Sequence, residues 1–136
     1  MRSLALIAVG AGLLACSSTP DPVVRSAGKQ AEYLRLTEGK VAGTPTTCLP
    51  AFGVNDMKVI DQNTVVFRES RRKVYVARLS EGCSNLGQRG YVMLTRQVGR
   101  IQICQGEVVR IIDAMNGLTV GSCAFSEFTP YSTPAG

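Results

Sequence analysis

Hydrophobic and polar positions change their rhythm three times along this chain. From Leu4 to Leu14 every residue is apolar or small, after a start of Met1-Arg2-Ser3. Ser17, Ser18, Thr19 and Pro20 then turn the chain abruptly polar. Next comes a stretch of helical spacing: Val23, Val24, Ala27, Ala31, Tyr33 and Leu34 recur every three or four positions. Asp21-Pro22 can open such a helix and Gly39 can close it. Gly28 weakens the first half, so the spacing predicts a short helix over 28–37. Residues 39–50, GKVAGTPTTCLP, read as loop. From about Asp56 the period becomes two and valine dominates. Strands are predicted at 57–60, 64–69, 73–79, 91–96, 101–104, 108–113 and 123–128, separated by turn formers such as Asp61-Gln62-Asn63, Gln105-Gly106 and Asn116-Gly117. Short strands so spaced predict a mainly β fold, a small antiparallel sandwich or barrel-like domain with one short N-terminal helix. The closing TPYSTPAG, 129–136, is proline-rich and polar and is expected to fray.

The apolar run at the start is eleven residues long, too short to cross a bilayer as a helix, which needs about twenty. A charged start, a short apolar core and small residues before a break predict an export leader over 1–15. Leu13-Leu14-Ala15-Cys16 resembles the lipobox of bacterial lipoproteins. That resemblance implies cleavage before Cys16, a diacylglyceryl group on its sulfur and an acylated (palmitate-type) amino terminus. The plainer reading is a secretory leader with an incidental cysteine, which leaves the cysteine's position at the cut unexplained. Residues 16–27 would form the lipidated tether, 28–130 one β-rich domain and 131–136 a flexible tail. Ser17 in second place, by the sorting habit of many lipoproteins, favours the outer membrane. The expected location is the periplasmic side of a bacterial cell envelope.

About 120 residues remain after such a cut, enough for one small domain. Tryptophan is absent and aromatics make up 6% of the chain, so valine, isoleucine and leucine must build most of the core. With Cys16 lipidated, four cysteines are left: Cys48, Cys83, Cys104 and Cys123. An even number in a small exported domain predicts two disulfides, with three possible pairings. A four-cysteine zinc site is the rival, but the spacings of 35, 21 and 19 contain no C-x-x-C knuckle and the chain has no histidine. No metal or other cofactor is expected. The formal charge is +5, and +4 without Arg2. A modestly basic surface in an envelope meets anionic lipid and glycan, and an exported chain is not expected to meet nucleic acid.

The most charged stretch is VFRESRRKVYVAR, 66–78. It reads as a β-hairpin with Glu69 to Arg72 at its tip; Lys73, Tyr75, Ala77 and Leu79 share one face of its second strand, and Val74, Val76 and Arg78 the other. Arg71, Arg72 and Lys73 could hold a phosphate or carboxylate, or could simply be a solvated tip that keeps an edge from aggregating. The glycine-rich loop SEGCSNLGQRGYV, 80–92, carries neither nucleotide-binding glycine pattern and reads as a connection pinned by Cys83. Without histidine, Ser-His-Asp and Cys-His catalysis are excluded. A pair drawn from Asp56, Asp61, Glu69, Glu81, Glu107, Asp113 and Glu127 could do glycosidase-type work, although acids at turns and strand ends are usually just solvated.

TCLP (47–50), VIDQNTVVF (59–67), VYVARLSEGCSNL (74–86), RIQICQGEVV (100–109) and GSCAFSEFTPY (121–131) resemble a family of small uncharacterised bacterial envelope lipoproteins, a four-cysteine β domain classed only as a domain of unknown function. The family often has aspartate where this chain has Glu107. Some members keep only the counterparts of Cys83 and Cys123, which implies pairing Cys83 with Cys123 and leaves Cys48 for Cys104. The expectation is therefore a non-enzymatic, membrane-anchored binding or structural protein. Its partners would be an envelope protein, an anionic lipid or a glycan. The alternatives are an inhibitor of an envelope-directed hydrolase, which the basic charge disfavours because lysozymes are commonly basic too, and a carboxylate-dependent hydrolase.

Overall fold

A computed structural model of the chain describes residues 24–80, 83–96, 99 and 101–135. The leader, the Cys16 lipidation site, the Asp21-Pro22 helix start and Glu81 lie outside the described residues. Among the described residues one helix, α1 (Ala27–Thr37), precedes seven strands: β1 (Val41–Ala42), β2 (Asp56–Asp61), β3 (Thr64–Arg68), β4 (Lys73–Leu79), β5 (Tyr91–Thr95), β6 (Val108–Asp113) and β7 (Thr119–Ser132). All strand pairs are antiparallel, in the order β2-β3-β4-β7-β6-β5, with β1 on β7. The sheet curls into a half-barrel, which decides between the two expected architectures in favour of the barrel-like one.

The long strand β7 is the spine. Its first half pairs with β6 and its second half with β4. The seam carries a bulge: Arg78 faces Glu127 but Leu79 faces Phe125, so Ser126 is one residue too many. The extra residue turns both Phe125 and Phe128 onto the core face, although their spacing is odd. There they meet Phe67, with ring centroids 5.4 to 6.4 Å apart. Around this trio the inner face buries Leu49, Val65, Tyr75, Ala77, Leu79, Val109 and Ile111. The outer face of β2–β4 buries a smaller set, Ile60, Val66, Val74 and Val76, against Tyr33, Leu36 and Tyr131. The alternation expected in β4 is thus observed on both faces.

Helix α1 starts at Ser26, whose Oγ accepts from the Lys29 N–H at 3.4 Å. It ends with the Glu38 N–H donating to the Leu34 carbonyl at 2.7 Å, and Gly39 takes the left-handed φ of +67° that lets the chain turn away. No residue of α1 is fully buried. Besides the packing of Tyr33 and Leu36 on the outer face, a polar latch holds the helix. The Arg25 guanidinium donates to Asp61 Oδ2 at 2.5 Å and to Thr64 Oγ1 at 3.0 Å, and lies 4.4 Å from the centroid of the Tyr33 ring. Lys29 Nζ adds a bond to the Val59 carbonyl at 3.1 Å.

Both disulfides follow the pairing implied by the resemblance. Cys48–Cys104 has Cα atoms 4.0 Å apart, and Cys83–Cys123 has them 5.4 Å apart. Three expectations need correction. Residues 101–104 form no strand: only Cys104 bridges to Cys48, and the Leu49 N–H to Ile103 carbonyl and Gln105 N–H to Thr47 carbonyl bonds close a crossing too short for a ladder. Residues 39–50 are not all loop, since β1 and a bridge from Thr46 to Phe128 line the edge of β7. The C-terminal segment does not fray from Thr129. β7 continues through Ser132, and the Thr133 N–H reaches the Arg72 carbonyl at 2.8 Å. Proline is tolerated there because the Pro130 carbonyl points at Gly43, which it meets at 2.7 Å. Its missing N–H therefore faces the short β1 side and spares the ladder to β4.

Candidate functional site: a cationic cleft under the helix

Strand β2 alternates Asp56, Lys58 and Ile60 onto the face that α1 covers. The hairpin β3–β4 brings Arg68 and its tip alongside, and the last turn of α1 brings Arg35. Together these elements enclose a cleft of about 290 Å³ lined by Glu32, Arg35, Leu36, Lys40, Lys58, Arg68, Ser70, Arg71 and Val74. Five cations face a single carboxylate. Arg68 is committed to Asp56 at 2.6 Å. Among the described residues, Arg35, Lys40, Lys58 and Arg71 make no salt bridge. Lys40 Nζ donates to the Leu36 carbonyl at 2.9 Å, and Arg35 complements the negative end of the helix. Lys58 and Arg71 have no such duty.

Of the three hairpin-tip cations named from the sequence, only Arg71 lines this cleft. Arg72 is exposed away from it. Lys73 is already occupied: Glu69 Oε2 lies 3.3 Å from its Nζ, and the Tyr75 ring centroid lies 5.2 Å away. Contact with the Tyr75 hydroxyl, and then with Glu69, raises the Lys73 pKa above its ordinary value. Tyr75 is itself raised, chiefly by burial, and donates to Glu69 Oε2 at 2.9 Å. Sequence reading missed Arg35, Lys40 and Lys58. The signal was the side that Lys58 shares with Ile60 in β2, but using it required knowing that α1 lies over that side.

A second cavity, of about 340 Å³, opens on the opposite face of the same end of the sheet. Its lining is mostly apolar by residue type, Leu49, Pro50, Ala51, Val54, Met57, Phe67, Ile101 and Ile103 beside Asn55 and Asp56, while about half of its exposed surface is polar. The Cys48–Cys104 link holds its two walls together, since Leu49 and Ile103 are the neighbours of those cysteines.

The acids named from the sequence are dispersed. Asp56 pairs with Arg68, Asp61 with Arg25 and Glu69 with Lys73. Asp113 accepts from the Met115 N–H at 2.8 Å and from Asn116 Nδ2 at 3.1 Å. Glu107 Oε2 is buried without a hydrogen-bond partner among the described residues. Neither the cleft nor the cavity is lined by two carboxylates. Among the described residues no group of three or more His, Cys, Asp or Glu side chains is placed to hold a metal ion, and no helix is long and apolar enough to cross a membrane.

The model of a family of unknown function (DUF6491) matches residues 1–135. The chain belongs to this family. No curated protein and no solved structure matches it. Membership of DUF6491 brings no activity with it.

Proposed function

We propose that this chain is a bacterial envelope lipoprotein, anchored through Cys16, that binds an anionic group in the cleft between α1 and the sheet. The observation that carries the reading is the gathering of Arg35, Lys40, Lys58 and Arg71 around one small cleft where, among the described residues, Glu32 is the one carboxylate in the lining. Like charges brought together by folding repel one another, and that cost is relieved when an anion sits among them. Guanidinium and ammonium donors suit phosphate and carboxylate oxygens. The anchor is supported by the sequence of residues 1–20, where a short apolar core ends at a lipobox-like Leu13-Leu14-Ala15-Cys16. Anionic lipid surfaces and glycans are the phosphate and carboxylate sources of such a compartment. The role is binding, with no bond made or broken.

The test separates the anchor from the cleft. A Cys16→Ser form, which cannot be acylated, is sedimented with vesicles of phosphatidylglycerol in phosphatidylcholine and with pure phosphatidylcholine vesicles. It should bind only the first, and adding Lys58→Ser and Arg71→Ser should weaken that binding about tenfold, and more so at low salt. Binding indifferent to both substitutions would overturn the cleft reading. Radiolabelled palmitate should enter the unsubstituted chain and not the Cys16→Ser form; equal labelling would overturn the anchor.

A further inference from the structure

The cationic cleft and the apolar cavity meet at one place. Asp56 lines the cavity, its partner Arg68 lines the cleft, and their charged atoms are 2.6 Å apart. Met57 and Lys58 are consecutive in β2, and one lines each space. Successive side chains point to opposite faces, and β2 is the edge strand of the sheet, so a molecule lying in both spaces wraps round the Asp56 end of that edge, from apolar side chains on one face to cations on the other. Phe67 in the cavity lining is only 3% exposed, while Ile101 and Met57, also in the lining, are 66% and 39% exposed. Large apolar side chains at the mouth of an apolar hole gain from being covered. The acid between the two spaces does not repel an anion, because Arg68 neutralises it.

We infer that the cavity takes the single alkyl chain of an anionic amphiphile whose headgroup sits in the cationic cleft. This rests on the anion reading of the cleft and narrows its ligand to a single-chain anionic lipid. At about 340 Å³ the cavity is near the lower end of the ligand sites known in proteins, which run from about 300 to 1,000 Å³. That suits one chain and not two. Asn55 at the edge supplies a neutral polar group for the linkage between chain and headgroup.

The full chain carrying Cys16→Ser is titrated calorimetrically with three probes, each below its micelle concentration: lauroyl lysophosphatidylglycerol, glycerol 3-phosphate and lauroyl lysophosphatidylcholine. The first should bind at least about tenfold more tightly than either of the others. Ala51→Trp, which fills the cavity, should remove the advantage over glycerol 3-phosphate and leave binding of that small anion unchanged. Met57→Lys should do the same at a position already 39% exposed, where folding is not at stake. Equal affinity for the two phosphoglycerol probes would overturn the inference and leave the cleft reading standing. Equal affinity for the choline-headed probe would overturn it from the headgroup side. Binding of none of the three would overturn both readings.

Discussion

Tyr33 shows how one side chain ties the helix to the sheet. Burial first, and then a hydrogen bond with Tyr131, push its phenol from 10.0 to about 12, against a smaller opposing pull from the Arg25 guanidinium. A raised pKa means that the folded state holds the proton more tightly than the unfolded one. The stabilisation is thus fully present below about pH 10 and is lost as the pH climbs from about 10 to about 12. Ultraviolet titration of phenolate absorbance should show a tyrosine ionising near pH 12 that disappears in Tyr33→Phe, while the raised Tyr75 remains. The alkaline decline in urea midpoint should be shallower in that variant. Parallel declines in the two proteins would show that Tyr33 is not the group responsible.

At the scale of elements, α1 is secured mainly by polar contacts at its start. Removing Arg25 leaves Asp61 Oδ2 and Thr64 Oγ1 without their donor, though Asp61 Oδ1 keeps the Asn63 N–H, and uncovers the Tyr33 ring, a loss of about 1–3 kcal/mol. The loss should be local. In Arg25→Ala, the α1 amides should exchange with deuterium at least about tenfold faster while those of β3, β4 and β7 keep their protection. Uniform acceleration would instead mean that helix and sheet open together. The contrast between helix and sheet also governs what the sequence reveals. The β3–β4 hairpin was legible because period-two alternation of valines has one reading, and its tip at Glu69 to Arg72 was legible from polarity. The helix was legible over 28–37 from spacing and Gly39. The Ser126 bulge was not: Phe125 and Phe128 break alternation, and only the partner residues Arg78 and Leu79 reveal that both rings face inward. Nor was the paired end of β7, because Pro130 argues against a strand until its carbonyl is seen to face β1. The candidate site was legible by one residue, Arg71; the other cations are brought to it by three separate elements whose packing no local pattern records.

At the scale of the whole molecule, the two disulfides do different work. Each closes a loop of comparable length, 56 and 40 residues apart, so the chain-entropy gain is similar, roughly 4 kcal/mol apiece. Their surroundings differ. Cys83–Cys123 lies in the main core and fixes the 83–86 turn so closely against β7 that a Cβ on Gly121 would come within 3.2 Å of the Ser84 carbonyl. It stabilises without touching either candidate space. Cys48–Cys104 instead joins the loop carrying Leu49 to the segment carrying Ile103, the two walls of the apolar cavity. Replacing both cysteines of a pair with alanine should therefore separate stability from binding. Either double variant should lose about 2–5 kcal/mol in urea unfolding. At a temperature where both remain folded, only the Cys48/Cys104 variant should also lose affinity for a single-chain anionic lipid, because its cavity walls are no longer tied, while the binding of glycerol 3-phosphate should be alike in the two. If the Cys83/Cys123 variant lost lipid affinity equally, the cavity would depend on the general firmness of the half-barrel and not on the staple beside it.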